Sequence, residues 1–156
     1  MDHPPSALPC GPEVMRLLSE CGLPTDDLRA GAATHFIGVQ SGNGLAAVVG
    51  IEVFGKVALL RSLAVSERSR AQGLGARLVA AIETYAVSRQ VHQMYLLTTT
   101  AEGFFVKYGY VRVERSEAPE EISASSEFAS LCPQSAAFMT KRICAPFDKY
   151  GRGQRP

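Results

Sequence analysis

Residues Leu63–Ala76 read Leu-Ala-Val-Ser-Glu-Arg-Ser-Arg-Ala-Gln-Gly-Leu-Gly-Ala. Leu63–Val65 closes the mostly apolar run Val57–Val65 (VALLRSLAV), a pattern that predicts a central strand buried on both faces. Ser66–Gln72 is a polar loop. In Gly73–Arg89, Leu74, Leu78, Ile82, Tyr85 and Arg89 step by three or four, the spacing of one helix face. A strand therefore feeds a loop with Arg70, Gly73 and Gly75, and then a helix N-terminus. Glycines let backbone amides approach a ligand closely. The first helical turn leaves N–H groups unpaired, and the macrodipole adds about half a positive charge there. Such a junction is a cradle for pyrophosphate.

Spacing narrows the kind of cradle. A P-loop needs GxxxxGK[ST], and this chain has no Lys followed by Ser or Thr. A dinucleotide fingerprint needs Gly or Ala at position 78, which is Leu, and an acid at the end of the following strand, which reads QMYLLTT. Both nucleotide classes fall away.

Outward from this junction the pattern gives an α/β (α+β) domain. Upstream, Val14, Leu17, Leu18 and Cys21 predict a helix over Glu13–Cys21, stopped by Gly22. Pro24-Thr25-Asp26-Asp27 offers caps for a further turn. Thr34–Gln40 and Leu45–Phe54 read as strands joined by a turn at Ser41–Gly44, and Gly55-Lys56 turns into Val57–Val65. Three antiparallel strands in sequence are implied. Downstream, Gln93–Thr99 reads as a buried strand, parallel to Val57–Val65 if the intervening helix makes a right-handed crossover. Thr99-Thr100-Ala101-Glu102 matches a capping box at the start of a short helix ending at Gly109. Val111–Arg115 alternates as a strand, Pro119 can open a helical turn, Ser126 can cap another, and Ala136–Ile143 reads as a last strand. The sum is a mixed, mainly antiparallel sheet flanked by helices.

The 156 residues fit a single domain, residues 13–144, between a Pro-rich flexible segment (1–12) and a flexible basic tail (145–156). A hydrophobic content of 46% and mean hydropathy near zero describe a soluble chain and exclude disorder as its main state. The N-terminus shows no apolar signal region, and the longest apolar run, Gly44–Ile51, falls far short of a membrane span, so a cytoplasmic protein is expected. Sixteen Lys and Arg against fifteen Asp and Glu leave a net charge of +1. No global field favours nucleic acid or an anionic membrane, and an anionic ligand must be met by a local device. Cys10, Cys21, Cys132 and Cys144 form no CxxC pair, which argues against a metal site or a disulfide framework.

Arg70-x-x-Gly73-x-Gly75 after the strand Leu59–Val65 resembles the acetyl-coenzyme A signature of the GNAT superfamily of N-acyltransferases, and the resemblance extends from about Glu13 to Ile143. It implies a GNAT fold with a splayed parallel pair of strands at its centre, and acetyl transfer from acetyl-CoA to an amine. Carried over by position, the backbone of Leu63, Ala64 and Val65 pairs with pantetheine, and Arg70, Gln72, Gly73, Leu74, Gly75 and Ala76 hold the pyrophosphate. The Leu63 amide polarises the thioester carbonyl.

The attacking amine has a pKa of about 10 and must lose a proton first. Glu52, a carboxylate in an otherwise apolar strand, is the candidate base, with an ion pair to Arg61 as the alternative role; Glu102 is either a second candidate or the capping residue. Many family members place a Tyr in the short helix to reprotonate the leaving thiolate. Here Phe105 stands at that position, which leaves Tyr108, Cys132, water or no group at all as the proton source. Arg61, Ser62, Thr98, Thr99 and Thr100, with Lys141-Arg142, are candidates for binding a small carboxylate-bearing amine. Leu96-Leu97-Thr98-Thr99-Thr100-Ala101 followed by Phe104-Phe105 is similar to amino-acid N-acetyltransferases of the N-acetylglutamate synthase type. The segment Glu127-Phe128 to Ala136 is similar to small GNAT proteins encoded in arsenic-resistance operons, which include enzymes that acetylate glutamate mimics such as arsinothricin and phosphinothricin. The implied partners are a small-molecule amine and, since dimers are common among similar proteins, a second copy of the chain.

Overall fold

The computed structural model describes residues 4–23, 25, 28, 34–42, 44–125, 128–129 and 135–143. Its strands are β1 (Ser6–Leu8), β2 (Thr34–Ser41), β3 (Gly44–Phe54), β4 (Val57–Val65), β5 (Gln93–Thr98), β6 (Val111–Arg112) and β7 (Ala137–Arg142). Its helices are α1 (Pro12–Glu20), α2 (Leu74–Ser88), α3 (Glu102–Lys107) and α4 (Glu120–Ser123). The strands form one sheet in the order β1-β2-β3-β4-β5-β7-β6. The β4–β5 pair is parallel; β1–β2, β2–β3, β5–β7 and β6–β7 are antiparallel. This is the mixed, mainly antiparallel α/β sheet expected from the order of the elements. The chain divides into two compact units, Met1–Glu52 with Leu60–Ile82 and Val53–Leu59 with Glu83–Pro156.

In the first unit, α1 starts at Pro12, where the missing N–H costs nothing, and buries Val14, Leu17 and Leu18. These pack with Leu28, Phe36, Val48 and Ala64 in one cluster. Past the helix, Gly22 takes φ +73, the left-handed backbone that glycine reaches without a steric penalty. Ser6–Leu8 adds an antiparallel strand to β2, pairing Ser6 with Gly38 and Leu8 with Phe36, an element that the Pro-rich composition of residues 1–12 does not show.

Two irregularities shape this unit. The β2–β3 register runs Ser41↔Gly44 and Gln40↔Leu45, then shifts to Val39↔Ala47 and continues to Thr34↔Glu52. Ala46 is thus the extra residue of a β-bulge, and it decides which residue faces Glu52. In β4, Ser62 has φ +60 in the middle of the strand. A left-handed non-glycine residue costs about 1–2 kcal/mol, and nothing in the apolar run Val57–Val65 marks it.

In the second unit, Val57–Leu59 of β4 pair with Gln93–Tyr95 of β5, and β5 pairs with β7 from Gln93↔Arg142 to Thr98↔Ala137. Leu59, Ile122 and Phe138 form the buried cluster, with Tyr95 stacked on Phe138 at 5.5 Å and Phe128 edge-on to it at 5.2 Å.

Several local expectations are corrected. The capping box at Thr99–Glu102 does not form: the N-cap of α3 is Ala101, whose amide donates to Thr98 Oγ1 at 3.0 Å, while Glu102 pairs with Arg112 at 3.3 Å. The strand expected over Val111–Arg115 stops at Arg112, because Glu114 and Glu117 form a capping box that starts a 3-10 turn at Arg115. Along α2 the buried face runs through Leu74, Leu78, Val79, Ile82 and Ala86, leaving Arg89 exposed. Pro24, Asp26, Asp27, Ser126, Cys132, Cys144 and the tail lie outside the described residues.

Helix α2 ends without a glycine. Gln90 has φ +67, with Gln90 N–H donating to Val87 at 2.9 Å and Val91 N–H to Ala86 at 3.0 Å. Gln90→Gly removes this strain at some entropic expense in the unfolded chain, and is expected to raise stability by about 0.5–1 kcal/mol. A melting temperature higher by about 1–4 °C in calorimetry checks it.

Candidate active site

The loop after β4 has backbone geometry that suits an anion. Ala71 (φ +68) and Gly73 (φ +74) flank Gln72 in left-handed backbone, the kind of alternation that turns successive amides to one side. Strain of this kind in a non-glycine residue clusters at ligand clamps. A Cβ placed on Gly73 would meet nothing within 4 Å, so the space beside the loop is open. The first intrahelical bond here runs from Arg77 N–H to Gly73 at 3.2 Å, which leaves the amides of Leu74, Gly75 and Ala76 without intrahelical acceptors. Arg70 is exposed; its Nε donates to the Val65 carbonyl at 3.2 Å, and its Nη2 lies 3.8 Å from Cys21 Sγ. These features fit a pyrophosphate. Leu63, Ala64 and Val65 lie at the end of β4 beside this loop, and the Ser66 amide donates to Ala46 at 2.8 Å.

Glu52, Arg61 and Ser62 are brought together. The Arg61 side chain has no solvent exposure, and its Nη1 stands 3.5 Å from Glu52 Oε2. Arg61 Nε donates to Ser62 Oγ at 3.2 Å. Thr34, which sequence reasoning missed, donates from Oγ1 to the same Glu52 Oε2 at 3.2 Å. Glu52 Oε1 is buried and meets no hydrogen-bond partner among the described residues. The ion-pair alternative for Glu52 is therefore realised, and it engages only one of the two carboxylate oxygens.

An open polar groove of about 470 Å³, lined by Glu13, Arg16, Ser66, Glu67 and Arg68 among others, reaches the β2–β3 turn at Gly44. Gly44 is eight residues from Glu52 along β3, about 26 Å at 3.3 Å per residue. The groove belongs to the cradle end of this unit rather than to Glu52.

In the second unit, Phe105 is buried, with its ring edge-on to Phe104 at 5.1 Å and to Tyr110 at 5.5 Å. Tyr108 caps α3, is 36% exposed, and lies 5.0 Å from the Phe104 ring. Thr98 is half-buried and accepts the Ala101 amide; Thr99 and Thr100 are exposed. Lys141, a substrate candidate by sequence, is committed elsewhere: its Nζ contacts both oxygens of Glu83 at 3.0 and 3.1 Å, and Tyr110 donates to Glu83 Oε2 at 2.9 Å. Burial, and then the Glu83 charge, push the Tyr110 phenol far above its ordinary range, so Tyr110 stays protonated and does not act as a base. Among the described residues no group of three or more His, Cys, Asp or Glu is placed to hold a metal, and no helix is long and apolar enough to cross a membrane.

A strand-to-helix junction with unpaired amides on a mixed sheet suits an anionic ligand. The model of the acetyltransferase (GNAT) family matches residues 7–110, and the chain belongs to that family. An uncharacterized N-acetyltransferase of Chlorobaculum tepidum is 37% identical over 67 residues, 43% of each chain, so the match spans less than half of that relative. Among solved structures, N-acetylglutamate synthase from Neisseria gonorrhoeae, complexed with coenzyme A and N-acetyl-glutamate, superposes with a TM-score of 0.73 at 18% identity, over 92% of this chain and 36% of that one. An aminoglycoside 6'-N-acetyltransferase complexed with coenzyme A gives 0.70 at 15% identity, over 94% of this chain and all of that one. At these identities the likeness is one of fold.

The Tyr110–Glu83–Lys141 cluster is a structural tie. Tyr110→Phe is expected to lower stability by about 1–2 kcal/mol, since a charge-assisted hydrogen bond is lost in a buried setting. A urea titration reads it as a lower midpoint at unchanged slope.

Proposed function

We propose that this chain transfers the acetyl group of acetyl-CoA to the amine of a small, amino-acid-like molecule. The observation that carries the reading is Glu52: a carboxylate in an apolar strand, held through Oε2 by Arg61 and Thr34, with Oε1 uncommitted. A buried acceptor with no partner needs an explanation, and a base awaiting a proton is one. Bound acetyl-CoA supplies an activated thioester. Arg70 and Gln72, with the amides of Gly73, Leu74, Gly75 and Ala76, would hold its pyrophosphate, and the backbone of Leu63, Ala64 and Val65 would pair with the pantetheine arm. The Leu63 amide would supply the hydrogen bond to the acyl oxygen, on the family resemblance. Glu52 is the general base for the acceptor ammonium; because Oε1 is enclosed, the proton reaches it through a water. Tyr108 is assigned the return of a proton to sulfur, Phe105 a cofactor contact, and Ser62 and Thr98–Thr100 acceptor contacts, on the family resemblance.

The amino-acid acceptor is supported by the resemblance of Leu96–Ala101 to N-acetylglutamate synthases, and the glutamate mimics arsinothricin and phosphinothricin by the resemblance of Glu127–Ala136. Arg61 is not proposed for the acceptor carboxylate, because its guanidinium is enclosed and paired. That enclosure favours, as a second reading, an acceptor that is purely cationic, such as a polyamine. A coenzyme A release assay with glutamate, phosphinothricin, arsinothricin and spermidine separates the two. Binding of acetyl-CoA without release from any amine would point to a module that binds without turnover.

Glu52→Gln is expected to lower kcat by about 100-fold or more while leaving the Kd for coenzyme A unchanged in calorimetry. Arg70→Ala is expected to weaken coenzyme A binding about tenfold, the loss of one charge-assisted contact. Unchanged binding in Arg70→Ala rejects the cradle assignment.

A further inference from the structure

Glu52 is held in a lopsided way. Thr34 Oγ1 and Arg61 Nη1 come from different strands, and both fall on Oε2, at 3.2 and 3.5 Å. A guanidinium beside a carboxylate commonly engages both oxygens through its fork. Here Oε1 is left buried with no partner among the described residues, a costly arrangement inside a protein unless that oxygen is reserved for a proton.

The two donors are themselves fixed. The strand register sets Thr34 directly opposite Glu52. A Cβ on Gly50 would fall 3.0 Å from the Thr34 methyl and 2.9 Å from the Phe36 ring, so the bare glycine is what lets the methyl pack there, with the hydroxyl on Oε2. Arg61 is held from its other side by Ser62 Oγ at 3.2 Å, and Ser62 takes the left-handed backbone in mid-strand.

We infer that Thr34 and Arg61 are positioning residues that pin Oε2 of Glu52 so that Oε1 is presented as the proton acceptor. The inference rests on the reading of Glu52 as the base. Arg61 alone, at 3.5 Å, does not fix the rotation of the carboxylate: without the Thr34 hydroxyl the group turns until both oxygens face the guanidinium, and Oε1 is no longer uncommitted. Thr34 thus acts through Glu52 and not on the acceptor.

The test compares Thr34→Val, which keeps the shape and deletes the hydroxyl, with Thr34→Ser, which keeps the hydroxyl and deletes the methyl. Coenzyme A release is followed with the best amine from the acceptor panel. Expected are a kcat about tenfold lower in Thr34→Val, an unchanged KM for acetyl-CoA, and most of the rate restored in Thr34→Ser. Equal losses in the two variants, or full activity in Thr34→Val alongside an inactive Glu52→Gln, overturn the positioning role and leave the base intact. Full activity in Glu52→Gln overturns the base reading itself. A crystal structure of Thr34→Val reads the same point without turnover: both Glu52 oxygens against Arg61 support the inference, and an unmoved carboxylate overturns it.

Discussion

A guanidinium with no exposure to water has to be neutralised where it stands, because taking a charge out of solvent costs several kcal/mol. Arg61 is that group, and it meets Glu52 of the neighbouring strand. It lies in the strand that leads into the anion cradle, so it cannot shift without moving the loop that follows. Glu52 supplies the opposite charge, Thr34 shares the carboxylate, and Ser62 Oγ accepts from Nε of the guanidinium. One buried charge thus ties three strands together. The left-handed backbone at Ser62, which costs about 1–2 kcal/mol, adjoins the same contact.

The cradle obeys a different economy. With a net charge of +1, the protein has no field with which to gather a highly anionic ligand. It relies on direction instead of total charge. On the proposed reading, amides at a helix start, a loop bent through Ala71 and Gly73, and the exposed Arg70 guanidinium supply the positive potential locally. Near-neutrality gives no global attraction for polyanions and leaves a nucleotide-bearing thioester within reach of a local device.

Elements defined by local periodicity were legible before any coordinates. The helices α1 and α2 and the strands β2 to β5 and β7 fall within a residue or two of their expected limits, since side-chain periods of 3.6 and 2 report which face is buried. Elements decided by competition were not. The Thr99–Glu102 box lost to a Thr98 contact with Ala101, and the strand at Val111–Arg115 lost its last residues to the Glu114–Glu117 box. Either outcome satisfies the same backbone groups, and energies that differ by tenths of a kcal/mol leave no mark on the pattern.

By itself the sequence determined the order of elements, the strand–loop–helix cradle and the isolation of Glu52 in an apolar strand, because each of these is a property of neighbouring residues. Only the tertiary structure decided what Glu52 touches. Counted back from the Ser41–Gly44 turn, an unbroken ladder sets Thr34 against Ile51; the extra residue at Ala46 moves the register by one and sets it against Glu52. A strand alternates its faces at every residue, so a slip of one exchanges the whole set of partners. No residue type marks the bulge, and Ser62 likewise occupies a left-handed position that its side chain does not announce. The chemistry of the candidate site thus depends on two backbone irregularities imposed by packing across the sheet.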